Sequence, residues 1–313
     1  MKTMTTNRNT MLAVLCALLL GAANAPAQFN LLHSFAGAPS DGRAPWYGAP
    51  TLSGSTLYGL TQQGGASGYG AAFKMNTDGT GFTLLHSFTS GVSDGRNPYG
   101  SLTLDGSTLY GMTAQGGLGN GGTVFKMNTD GNDFTLLHTF AGGVNDGSAP
   151  YGSLTLSGST LYGMTCFGGA NNFGTAFKMN TDGTGFALLH TFTGSSSDGG
   201  VPYGSLTLDG STLYGMTTYG GTSNRGVAFQ MNTNGTGFAL LRSFAGGVSD
   251  GSAPYGSLTL DGSTLYGMTS QGGASGNGTV FGIGVVPEPS SMGLVLLGLG
   301  LIGWRRLRLR RES

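Results

Sequence analysis

The chain has 313 residues, of which 61 are glycine and only 9% carry charge. There is no Gly-X-Y period, and 38% of residues are hydrophobic, with 17 Phe and 12 Tyr, so neither collagen nor disorder fits. Formal charge is zero but segregated: between the two ends, seven basic residues stand against twelve aspartates, and a body at −5 lacks the clustered cations that a nucleic acid partner needs.

In chain order, residues 1–27 come first and read as a signal peptide. A basic start is followed by MLAVLCALLLGAA and small residues ending at Ala27, the favoured cleavage point. A retained N-terminal membrane anchor is the competing reading. Without the leader, Cys166 is the only cysteine, so no disulfide within the chain is expected.

Residues 28–286 are built from an internal repeat. Tyr58, Tyr110, Tyr162, Tyr214 and Tyr266 are spaced by 52 residues, and Tyr47, Tyr99, Tyr151, Tyr203 and Tyr255 keep the same interval. Trp46 is one extra residue in the first repeat. Each repeat holds four short runs with strand character; in the second these are SLTL, STLYGMT, GTVFKMN and FTLLHTF. Asp105-Gly106 is expected as a tight hairpin turn between the first two runs, and a second Asp-Gly turn joins the last two. The region begins with FNLLHSF, a fourth strand without its predecessors, and ends with GTVFGIG, a third strand without a successor. The expectation is an all-β, five-bladed β-propeller of four-stranded antiparallel blades, closed by strand 29–35. Phe73, Phe125, Phe177, Phe229 and Phe281 are expected in its core.

The period and the paired glycines after the second run, such as Gly116-Gly117, resemble kelch-like blades, although Phe82, Phe134, Phe186 and Phe238 stand where kelch repeats usually carry Trp. The closer resemblance, over residues 29–284, is carried by LYGMT, the paired glycines and VFKMN with its following Asp-Gly turn, and is to the GloVer-type tandem repeats of exported proteins; it implies no enzymatic activity.

Residues 287–313 form the last element: Pro287-Glu288-Pro289, an uncharged run over 290–304, and a cluster of arginines. This tail resembles a PEP-CTERM sorting signal. The resemblance implies export from a Gram-negative bacterium, recognition by an exosortase-type sorting protease, and transient anchoring in the inner membrane through 290–304. The apolar run is shorter than the ~20 residues a spanning helix prefers. A permanent short anchor is the alternative. Both apolar ends are expected as helical segments flanking the propeller.

Chemistry is poorly supplied. The body has no glutamate, and most aspartates precede glycine, as turn residues do. His33, His86, His138 and His190 share one position on the fourth strand. With strands about 4.8 Å apart, the outermost strands of neighbouring blades are too far from one another to share an ion. No catalytic residue, metal or cofactor is therefore assigned. One set can converge: Tyr47, Tyr99, Tyr151, Tyr203 and Tyr255 at the start of the innermost strands. Asp41, Asp94, Asp146, Asp198 and Asp250 lie in the loops just before them. Aromatic faces beside carboxylates suit sugars, while packing between blades is the plainer role for the tyrosines. The reading is an exported, non-catalytic surface or matrix protein, with polysaccharide or another surface component as its ligand. The alternative is a secreted polysaccharide-active enzyme using the loop-face aspartates.

Overall fold

The computed structural model describes residues 29–285. The expected signal peptide, the sorting tail and their apolar helices lie outside these residues. All regular structure among the described residues is β, with no helix. The chain divides into two compact units after Ser34. Residues 29–34 carry no strand; residues 35–285 carry the repeats.

Four repeats each form a four-stranded antiparallel sheet in which strands neighbour one another in chain order. In the third repeat these are Thr155–Ser157, Thr160–Thr165, Thr175–Asn180 and Ala187–Thr191. A two-residue turn joins the first pair. Ser157 pairs with Thr160, so Gly158 and Ser159 are its central residues, and Gly158 has φ +54°. Glycine leading at positive φ is the type II′ pattern that hairpin twist favours. The turn thus centres on Gly-Ser rather than on the residue pair ending in glycine. The middle strands are buried on both faces, because every inner sheet is sandwiched between two others. That explains their nearly continuous apolar character. Gly163 lies opposite Phe177, and a Cβ there would sit 2.5 Å from Phe177 Cζ, so the ring fills the space a side chain would take.

Each joint between repeats holds one apolar cluster. Tyr110, Met112, Val124 and Phe140 of the second repeat meet Leu154, Leu161, Phe177 and Met179 of the third. The other three joints use the same positions. Along the first strands a hydroxyl ladder crosses every joint. The Ser101 and Ser153 amides donate to Ser153 and Ser205 Oγ at 2.8 Å, and Thr103 Oγ1 donates to the Leu154 carbonyl at 2.7 Å. Five two-residue ribbons, such as Gly147–Ser148 with Phe167–Gly168, tie the loop before the first strand to the loop after the second. Both loops therefore open at the same end of the sheet.

Closure by strand 29–35 is corrected by the structure. The last sheet has three strands, ending with Thr279–Gly284. Val280 is 77% exposed, whereas its counterparts Ala72, Val124, Ala176 and Ala228 are at 0%. Phe281 is correspondingly half-buried, while Phe73, Phe125, Phe177 and Phe229 are buried as expected. The first repeat has Ala49-Pro50 where the others have Ser-Leu, so its first strand lacks the serine hydroxyl and the leucine side chain of the others.

Candidate functional site: a tyrosine-lined cavity

Each tyrosine of the first-strand column follows a proline, or Trp46 in the first repeat, and precedes a glycine. The proline packs on a glycine of the preceding repeat: a Cβ on Gly122 would lie 2.8 Å from Pro150 Cδ. The following glycine brings backbones together, since a Cβ on Gly152 would lie 2.4 Å from the Gly204 carbonyl oxygen. Only a residue without a side chain allows successive first strands to approach this closely, and that approach brings neighbouring tyrosine rings into tilted or T-shaped contact. Ring centroids run Tyr47–Tyr99 5.7 Å, Tyr99–Tyr151 4.7 Å, Tyr151–Tyr203 5.2 Å and Tyr203–Tyr255 5.0 Å.

The five tyrosines line one cavity of about 430 Å³. Trp46 extends the row, its ring 6.4 Å from that of Tyr47, and Ser153, Ser205 and Ser257 add hydroxyls to the wall. No residue lining it is charged. Burial raises the phenol pKa of Tyr99, Tyr151 and Tyr203, the last to about 12. These three phenols are therefore neutral at physiological pH. Trp46 was visible in the sequence as the one insertion beside the column; its place in the lining is what the structure adds.

The aspartates are not brought into this cavity. Asp94 is buried, and its carboxylate is taken up by its own loop. Oδ1 accepts from the Gly95 amide at 2.7 Å and lies 3.1 Å from His86 Nε2. Oδ2 accepts from the Thr89 amide and hydroxyl, both at 2.9 Å. His138–Asp146 and His190–Asp198 repeat the pairing at 3.0 Å, and Arg242–Asp250 does so at 2.7 Å. Asp41 accepts from the Ala36 and Gly42 amides. The histidine rings also stack on the next repeat, His86 on Phe134 with centroids 3.8 Å apart. His86, His138 and His190 are thus struts between their own loops and the next repeat. Among the described residues no cluster of metal-ligating groups forms. Cys166 is buried, donates to the Pro202 carbonyl, and has its thiol pKa pushed well up by burial.

Burial alone would raise the carboxyls of Asp94, Asp146 and Asp198, but the histidine and backbone or threonine bonds outweigh it and hold them below the ordinary range. A lowered folded-state pKa means stability that is complete above the unfolded value, about 4, and lost as pH falls through the folded one. The melting temperature is expected to hold from pH 7 to 5 and to fall steeply below about pH 4. Asp146→Asn, which cannot titrate, is expected to make that acid loss shallower in thermal melts.

Antiparallel sheets repeated in series and packed face to face define a propeller-like β-repeat protein. The chain belongs to the Gloeobacter/Verrucomicrobia repeat family, which matches over residues 22–225. Residues 285–311 match the PEP-CTERM protein-sorting motif, which implies processing by the exosortase sorting system and export to the surface or medium of a Gram-negative bacterium. No curated protein matches the chain. Solved structures resemble it at low identity. A nidogen/laminin complex shares 17% identity over 72% of this chain and 75% of that one, with TM-score 0.46. A gluconolactonase from Xanthomonas campestris shares 17% over 78% and 77%, with TM-score 0.46. A GH74 enzyme from Niastella koreensis shares 20%, covering 73% of this chain and 34% of the enzyme, with TM-score 0.49. At these levels the likeness is one of strand architecture and says nothing of chemistry.

Proposed function

We propose that this chain is an exported, non-catalytic surface or matrix protein that holds a neutral polysaccharide in its tyrosine-lined cavity. In this reading residues 1–27 and the tail from Pro287 are removed during export, after 290–304 has held the chain briefly in the inner membrane. The observation that carries the reading is the uncharged row of five tyrosines and Trp46 around one cavity. Ring faces stack on the apolar faces of sugars while phenols and serine hydroxyls serve the sugar hydroxyls. The non-catalytic reading is supported by the carboxylates, whose oxygens are engaged within their own loops.

The exported chain, whose intact mass fixes both ends, is to be titrated with neutral glycans while Trp46 fluorescence is followed. Saturable quenching without release of reducing ends is expected. Tyr47→Ala and Tyr255→Ala, at the two most exposed tyrosines, are each expected to weaken binding about tenfold, one stacking contact's worth. No quenching by any glycan, or steady release of product, would overturn the proposal.

A further inference from the structure

Among the described residues, the fifth repeat ends on an exposed face and an edge paired on one side only. At every inner joint the second and third strands bury a tyrosine, a methionine or leucine, and a small apolar residue; in the second repeat these are Tyr110, Met112 and Val124 at 5%, 3% and 0% exposure. In the fifth the same positions are Tyr266, Met268 and Val280, at 46%, 64% and 77%. A Cβ on Gly256 would meet nothing within 4 Å, though each preceding glycine of its column abuts the next backbone. Among the described residues, Thr279–Gly284 pairs only with Thr264–Thr269, whereas Thr175–Asn180 pairs on both sides.

The first repeat shows the other half of the same joint. Phe35 lies 5.3 Å from Phe73 and 6.0 Å from Phe82. Phe140 holds the same geometry on the third repeat, 5.3 Å from Phe177 and 6.2 Å from Phe186. Phe140 is fully buried by the Tyr110, Met112 and Val124 of its own repeat, and Phe35 is half-buried. Leu52 is 59% exposed, while its counterparts Leu104, Leu156 and Leu208 pack into joints. Residues 29–35, FNLLHSF, repeat the fourth-strand sequence FTLLHTF of 134–140.

We propose that a second copy of this chain docks on the fifth repeat, head to tail. Its residues 29–34 add to the edge of Thr279–Gly284 as the missing fourth strand, and its Phe35 and Leu52 cover Tyr266, Met268 and Val280. The joint between copies is then the joint between repeats. The register follows from the first repeat, where Lys74 pairs with Thr83, Phe73 with Leu84 and Ala72 with His86. Gly282 of one copy therefore meets Asn30 of the other, Phe281 meets Leu31, and Val280 meets His33. Strand addition satisfies an open edge and apolar burial drives the contact. Because the two patches differ, the contact is heterologous and propagates beyond a dimer. The hydroxyl ladder supplies one bond fewer than at inner joints, since Ala49 stands in place of serine.

Two singly substituted full chains test this, Asn30→Cys and Gly282→Cys, both with Cys16→Ser and Cys166→Ser. The substitution at Gly282 fits, because its Cβ would meet its nearest neighbours at 3.5 Å. Mixed and oxidised, they are expected to give an interchain disulfide, since paired strand residues lie within disulfide reach. Val280→Asp is expected to leave the melting curve of the dilute chain unchanged while raising the concentration needed for association in sedimentation at least tenfold. Failure of the mixed chains to cross-link would overturn the proposal. So would an intrachain disulfide in the doubly substituted chain at high dilution, which would show the segment closing its own array.

Discussion

Gly152→Ala is expected to destabilise the third joint by about 3 kcal/mol, while Gly256→Ala, the same substitution in the same column, stays within about 0.5 kcal/mol. The difference lies entirely in what the new methyl group meets. At Gly152 it would stand 2.4 Å from the Gly204 carbonyl oxygen and 2.7 Å from its carbon. These are backbone atoms of a strand held by the Ser153–Ser205 and Thr155–Leu206 bonds, so they cannot turn aside as a side-chain tip would. At Gly256 there is open space. Neither glycine has positive φ, so backbone strain does not enter the comparison. Urea unfolding of the two variants beside the native chain measures the difference. Equal losses at both positions would show that the close approach of first strands contributes nothing.

The larger single effect is expected at Phe177. Its ring is fully buried, is met edge-on by Phe140 at 5.3 Å, and covers Gly163 of the neighbouring strand. Phe177→Ala is expected to cost 3–5 kcal/mol, the range for emptying an aromatic site in a rigid core. The deciding readout is its coupling to Gly163. A methyl group there would lie 2.5 Å from the Phe177 ring, so Gly163→Ala alone should be destabilising. In a Phe177→Ala background the same methyl enters the vacated space and should recover part of the loss. Strict additivity in this double-mutant cycle would mean that the ring and the glycine are not packed as described.

Much of the architecture was legible because the repeat enforces it. The 52-residue interval, the four strand-like runs and the recurrent glycine positions lead directly to serial antiparallel sheets, and the tyrosine column leads to a shared lining. The aspartates show where such reading stops. Asp94, Asp146 and Asp198 follow His86, His138 and His190 by eight residues each time, and Arg242 keeps that distance to Asp250. The constant spacing, with one cation exchanged for another, was the available sign that these groups are partners. As separate columns, the histidines fall on the outermost strands and the carboxylates on a loop face, and only the shared spacing joins them. Closure is a second limit: FNLLHSF carries the full fourth-strand pattern, but the pattern alone does not say which edge, or whose, the segment pairs with. The two-residue ribbons and the Gly-Ser turn centre depend on backbone register, which composition does not encode.

The uniformity of the joints bears on how such a gene changes length. Every inner boundary is made by side chains of the same kind at the same offsets, with Leu exchanging for Met and Ala for Val, and the hydroxyl ladder reaches only one neighbour in either direction. A tandem duplication or deletion of one 52-residue block, by unequal recombination, would therefore leave both new boundaries chemically intact. It would add or remove one tyrosine from the cavity wall, so that copy number changes how many rings the wall presents.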